Sequence, residues 1–174
     1  MSDRELQGSA PGGGSRHRAR EIALQALYAI DLGSRTHPGR EPLDPEQEFD
    51  ESHGSRVGEP EAEADRVFAR IVQSFDVPTS AAEFARELVR AVIARREEID
   101  DRIGLHTRNW RISRMAVVDR NVLRLAVYEL QHTDTPVAVV IDEAVDLARR
   151  FASDSSPPFV NGVLDAVARE VRAA

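Results

Sequence analysis

The chain has 174 residues, 41% of them hydrophobic and 30% charged, which suits one soluble domain or two small helical lobes packed together and leaves no room for two large domains. It contains no cysteine, which excludes disulfides, thiolate metal sites and a cysteine nucleophile. It has neither an apolar run of the roughly 18 residues a membrane span needs nor the apolar stretch of a signal peptide at Met1 to Ser15, so a cytoplasmic location and no membrane partner are expected.

Residues 1–15 are polar, run through Gly12-Gly13-Gly14 and are expected to be a flexible tail, with Ser15 as the N-cap of a first helix. From Arg16 to Leu32, Ala19, Ile22, Ala23, Ala26, Leu27 and Ile30 form one apolar stripe at helical spacing, and Gly33 closes it. The net charge of −7 would by itself repel nucleic acid, but it is local: residues 31–65 hold eleven acids and three arginines, whereas 1–30 sum to +1 and 66–174 to zero. Gly33 to Pro60, rich in Gly, Pro and acids, therefore reads as an acidic loop insertion. Glu61 to Phe75 is a second helix with Val67, Phe68, Ile71, Val72 and Phe75 on one face. Ser80-Ala81-Ala82-Glu83 fits a capping box that opens one long helix through Leu88, Val92, Ile99 and Ile103 to a Gly104 stop. That helix would be the spine between an N-terminal helical lobe, 16–104, and a C-terminal helical bundle, 105–174.

Ile112 before Ser113 is placed to staple onto Val117 at the start of a helix that runs to about Gln131. Val117, Val118, Val122, Leu123, Leu125, Ala126, Val127 and Leu130 leave only a narrow polar stripe at Arg120, Arg124 and Tyr128, the pattern of a central bundle helix. Thr135 and Pro136 suit the N-cap and first position of the next helix, whose buried face is Val137, Ile141, Ala144, Leu147, Ala148 and Phe151. After a Ser153 to Pro158 loop, Val160, Val163, Leu164, Val167 and Val171 define the last helix. No segment carries a strand pattern, and the expected fold class is all-α, two small helical bundles packed together.

Three features stand out as functional candidates. The first is Arg16-His17-Arg18-Ala19-Arg20. Cations at a helix start oppose the macrodipole, a local conflict that points to a functional demand. His17, Arg18, Glu21, Gln25 and Tyr28 share the face opposite the apolar stripe, with Arg16 and Arg20 at its edge, a mixture suited to the phosphates and splayed bases of single-stranded RNA. All 23 basic residues are arginine, a planar fork for phosphate and a face for stacking. A solvated basic patch is the plainer reading of the same residues. The second is Phe159-Val160-Asn161-Gly162-Val163-Leu164-Asp165, where Phe159 fits either core or stacking platform and Gly162 either close helix contact or none; Phe151 shares the first ambiguity. The third runs from Arg102 to Arg124, where six arginines face Asp119 as the sole acid, a rim open to nucleic acid, protein or solvent, with Trp110 read as a packing residue.

Enzymatic function finds no support. Asp142, Glu143 and Asp146 are acids in the early turns of a helix, where the dipole favours them. The five histidines lack metal-ligand spacing, and there is no phosphate-binding glycine loop or GxSxG elbow. No cofactor, metal or catalytic residue is expected.

Taken in order, Arg16-His17-Arg18-Ala19-Arg20-Glu21 with Ala23-Leu24-Gln25-Ala26-Leu27-Tyr28, then Val118-Asp119-Arg120 with Val122-Leu123-Arg124-Leu125-Ala126-Val127-Tyr128-Glu129-Leu130, then Ile141-Asp142-Glu143-Ala144-Val145-Asp146-Leu147-Ala148, then Phe159-Val160-Asn161-Gly162-Val163-Leu164-Asp165, the chain resembles the NusB family of bacterial transcription antitermination factors. The likeness covers residues 16–32 and about 79–170. It implies two helical lobes and a protein that pairs with NusE, a small-subunit ribosomal protein, to hold the single-stranded boxA element of nascent transcripts, ribosomal RNA among them. The transcription elongation complex is the implied setting, and ribosome assembly benefits. By motif position the resemblance puts RNA contacts on Arg16, His17, Arg18, Arg20, Gln25 and Tyr28, with Phe151, Ser155, Phe159 and Asn161 from the other lobe, and puts Asp119 against NusE. His17 stands where the family often has arginine, Pro157-Pro158 replaces a segment that is often polar or basic, and the acidic insertion is unusually long. The alternatives are a NusB-like RNA-binding module of the kind attached to ribosomal RNA methyltransferases, which the end of the chain at Ala174 disfavours, and a helical scaffold that forms a homodimer and binds no RNA.

Overall fold

A computed structural model describes residues 13–33, 59–74, 77–107 and 110–173. The acidic insertion, apart from its ends, the start of the N-terminal tail, and Phe75 lie outside the described residues. Among the described residues seven helices follow in chain order: α1 Gly13–Gly33, α2 Glu59–Ser74, α3 Thr79–Ala94, α4 Arg96–His106, α5 Val117–His132, α6 Val137–Phe151 and α7 Ser156–Ala173, with a single 3₁₀ turn at Ile112–Arg114. The fold is all-α, and there is no strand among the described residues.

Helices α1, α2 and α3 pack together as one bundle and α5, α6 and α7 as another, while α4 lies on α5 and α7 and α1 also leans on α5. The apolar stripe of α1 supplies Ala19, Ile22, Ala23, Ala26, Leu27 and Ile30 to a buried cluster that continues without interruption into the second bundle through Val122, Leu123, Val127, Leu147, Leu164 and Val167. Burial of each large aliphatic side chain contributes about 1.5–3 kcal/mol, so the shared cluster is what holds the bundles to each other.

The helix starts differ from the sequence expectation in a consistent way. Residues 13–15 are already helical, and the Ser15 hydroxyl lies 3.3 Å from that of Ser80 instead of capping α1. The N-cap of α3 is Pro78, with no side-chain cap; its φ of −55° is set by the ring, and its carbonyl accepts from the amides of Ala81 and Ala82 at 3.0 Å. The capping box at Ser80 does not form. Ala116 and Pro136 take the same role for α5 and α6, so Ser113 and Thr135 are not the caps. Helix α7 opens three residues early because Pro157 and Pro158 sit in its first turn, where an amide hydrogen has no carbonyl to bond.

The long spine helix is two helices. Arg95, at φ −112° and ψ 20°, breaks it, yet Leu88, Val92, Ile99 and Ile103 stay buried on both sides of the break. The break turns α4 onto α5 and α7. Gly104 does not stop α4, which ends two residues later at His106 and is followed by the C-cap Thr107, whose hydroxyl donates to the carbonyl of Ile103 at 3.1 Å. Gly162 faces open space, with nothing within 4 Å of where a Cβ would be, so close helix packing is not its role.

Candidate nucleic-acid interface

The first turns of α1 carry Arg16, His17 and Arg18, of which His17 meets α6. Arg16 is exposed, its guanidinium 5.7 Å from the Phe84 ring centroid. Arg18 donates to Glu21 at 2.7 Å, a normal i,i+3 helix pair. His17 is half-buried, with Nδ1 2.8 Å from Glu143 of α6 and Nε2 3.3 Å from Glu21. About two to three turns further along α1, Gln25 is half-buried and Tyr28 is 40% exposed. Residues 17, 21, 25 and 28 follow the i+4, i+4, i+3 spacing of a single helix face.

Arg20 departs from its expected role. Its side chain is buried, Nε donates to Glu129 Oε1 at 2.8 Å and Nη2 to Glu129 Oε2 at 2.7 Å, and Nη1 lies 3.5 Å from Glu143. Burial alone would lower the guanidinium's pKa; the hydrogen bonds and negative charge of Glu129, aided by Glu143, outweigh it and raise it. With both edges of its fork engaged, Arg20 is a bundle-to-bundle tie and is not presented to a phosphate.

The arginines of α5 are corrected in the same sense. Arg120 and Arg124 do not form an open rim. Both are buried against Asp31 of α1, at 2.8 and 3.1 Å, and Arg124 closes a two-point pair with Asp100 of α4 at 2.7 Å on each arm. Arg96 reaches the other Asp31 oxygen at 3.1 Å. Burial pushes the Asp31 carboxyl up, but the hydrogen bond from Arg120 and the charges of Arg124, Arg120 and Arg96 hold it below its ordinary value. Arg102 pairs with Glu170 of α7. Arg111 and Arg114 remain exposed, and Arg108 lies outside the described residues.

From the second bundle, Phe151 at the end of α6 is 37% exposed. The guanidinium of Arg150 lies 5.4 Å from its ring centroid, and Arg150 Nη1 is 3.3 Å from His17 Nε2 and pairs with Glu21. Arg150 therefore joins the α1 face to Phe151, a link no local sequence pattern carries, since its partners lie 129 and 133 residues away. Past the turn, Ser155 is exposed, its hydroxyl 3.1 Å from that of Ser153. Phe159 is half-buried against the core, and Asn161 is exposed, donating to Asp165 at 3.3 Å. Phe159 and Ser155 line one pocket with Trp110, Met115 and Asp119. Trp110 is 59% exposed and so is not the packing residue its type suggested. Asp119 is half-buried, with Oδ1 shielded and lacking a hydrogen-bond partner among the described residues.

Two groupings result: His17 and, through Glu21, Arg18 of α1 meet Arg150 and Phe151 of α6, with Gln25 and Tyr28 further along α1, while Ser155, Phe159 and Asp119 share one pocket and Arg16 lies by Phe84. Together they offer cations, amides and aromatic faces. Among the described residues there is no cluster of His, Cys, Asp or Glu able to hold a metal, and no helix is long and apolar enough to cross a membrane.

A family model described as NusB family matches residues 17–169. The transcription antitermination protein NusB of Anaeromyxobacter sp. (strain Fw109-5) is 45% identical over 154 residues, covering 88% of this chain and 89% of that protein. Among solved structures, NusB of T. maritima is similar at 31% identity and a TM-score of 0.66, over 89% of this chain and 91% of that one. A chain from the crystal structure of the antitermination factors NusB and NusE in complex with double-stranded RNA is similar at 29% identity and a TM-score of 0.64, over 91% and 98%.

Proposed function

The chain belongs to the NusB family, and from that premise we propose that it is an RNA-binding, non-enzymatic antitermination factor that holds boxA RNA together with NusE during ribosomal RNA transcription. The observation that carries the reading is the junction at which His17 of one bundle, and Arg18 by way of Glu21, meet Phe151 of the other through Arg150. A relative solved with NusE and RNA has the same fold.

The RNA site proposed for this chain comprises Arg16, His17, Arg18, Gln25, Tyr28, Phe151, Ser155, Phe159 and Asn161, without Arg20. Exposed Tyr28 and Phe151 offer rings on which unpaired bases stack, an interaction closed to bases already stacked in a duplex. A single strand is accordingly the proposed ligand. Asp119 is proposed to face NusE. Its place in one pocket with Ser155 and Phe159 lets the protein partner and the RNA adjoin, so that NusE strengthens RNA binding.

Electrophoretic titration of a boxA RNA, of its duplex with the complementary strand, and of a scrambled strand, each with and without NusE, tests this. The boxA strand should bind most tightly, and more tightly with NusE present. Asp119→Lys should weaken NusE binding and leave RNA binding by the free protein unchanged. Equal affinity for the scrambled strand in the presence of NusE would remove boxA from the reading, and preference for the duplex would remove the single strand.

A further inference from the structure

Glu21 lies on the α1 face but is buried, and two arginines from two helices donate to it, Arg18 Nη1 at 2.7 Å and Arg150 Nη1, with His17 Nε2 3.3 Å away. A carboxylate with this many partners can release one and remain hydrogen-bonded, so the release strands no buried charge. Arg150 is the partner best placed to go. Its side chain is 53% exposed, against 37% for Arg18 and 30% for His17. Its guanidinium also lies over the exposed Phe151 ring, 5.4 Å from the centroid, which keeps the fork flat at the surface while its edges stay available. Arg149, one residue earlier with the same charge, is committed to Asp146 on its own helix.

We propose that Arg150 is an RNA ligand that exchanges Glu21 for a backbone phosphate and, bedded on Phe151, carries the strand from the α1 face to the α6–α7 turn. The inference rests on the RNA-binding reading above. Arginine suits the step because two of its N–H groups can meet a phosphate in parallel. Glu21 is then a built-in competitor: it holds the fork in place before RNA arrives and weakens binding by the strength of the pair it gives up.

The test is fluorescence anisotropy of the full chain with a labelled single-stranded RNA carrying a boxA element, across a salt series, with circular dichroism and thermal midpoints on every variant. Arg150→Gln should bind several-fold more weakly and flatten the slope of log affinity against log salt by about 0.7, the contribution of one single-strand phosphate. Arg149→Gln, which removes the same charge one residue away, should keep the wild-type slope. Glu21→Gln should bind more tightly; if that variant does not fold, the two arginine variants decide alone. Wild-type behaviour of Arg150→Gln, or equal losses in Arg149→Gln and Arg150→Gln, overturns the inference while leaving the RNA reading in place. Failure of the wild-type chain to bind any RNA overturns both.

Discussion

The two ends of α1 use the same side chain for opposite purposes. At its start, Arg16 and Arg18 stand at the surface, Arg16 over Phe84 and Arg18 in a local pair with Glu21. At its end, Asp31 draws Arg120 and Arg124 of α5 into the interior, and midway Arg20 is drawn in by Glu129. Nothing about an arginine's own residue type separates these cases; what separates them is whether a carboxylate from another helix waits within about 3 Å in a site closed to water. Exposed arginine pairs contribute about 0–1 kcal/mol, whereas a buried one cannot lose its partner without leaving a charge uncompensated. The comparison teaches that surface arginines can be spent on a ligand and buried ones cannot.

The sharpest way to break this contrast is at Glu129. Glu129→Gln leaves the Arg20 guanidinium buried beside a neutral amide, and urea unfolding should show a loss of about 3–5 kcal/mol. A loss under 1 kcal/mol would place Arg20 among the expendable surface arginines. Asp31→Asn should cost a comparable amount, about 3–5 kcal/mol, since Arg124 retains Asp100 but buried Arg120 loses the carboxylate it pairs with. The pH dependence supplies a second readout. Because the Asp31 carboxyl is held below its ordinary value in the folded chain, its contribution is present above the unfolded carboxylate pKa and is lost as the pH falls through the lower folded value. Wild-type stability should therefore drop on acidification by more than that of Asp31→Asn, and parallel curves would remove Asp31 from the account.

Smaller effects test the exposed set. Tyr28→Ala should cost about 1–3 kcal/mol in RNA affinity with an unchanged salt slope, since stacking releases no counterions. A changed slope with unchanged affinity at low salt would reassign the ring. The smallest expected change in stability belongs to the double variant Arg16→Gln with Arg18→Gln, whose thermal midpoint should stay within a degree or two. Its salt slope should flatten by about 1.4, two phosphates' worth. Loss of fold in that variant would erase the distinction between the two ends of α1.

Read alone, the amino-acid sequence determines the helices and their buried faces. The stripes Ala19 to Ile30 and Val122 to Leu130 recur at 3.6 residues, and no arrangement other than a helix hides them together. It also determines the family, because the motif order from Arg16 to Asp165 is a property of the chain itself. The starts of α3, α5 and α6 were not legible there: Ser80, Ser113 and Thr135 have the right side chains for caps, yet Pro78, Ala116 and Pro136 hold those positions, because packing sets how many turns each helix spans and a proline's fixed φ serves as well as a hydroxyl. Which arginines stay at the surface was equally hidden. Arg16, Arg18 and Arg20 sit within five residues of one another, and only the arrival of Glu129 from α5, 109 residues on, takes Arg20 out of the set. Arg150 is tied to α1 in the same way, through Glu21 and His17 at 129 and 133 residues' separation. Helical periodicity is a local quantity that a short window of sequence contains. Pairing between charges is a long-range one, and only the tertiary structure decides it.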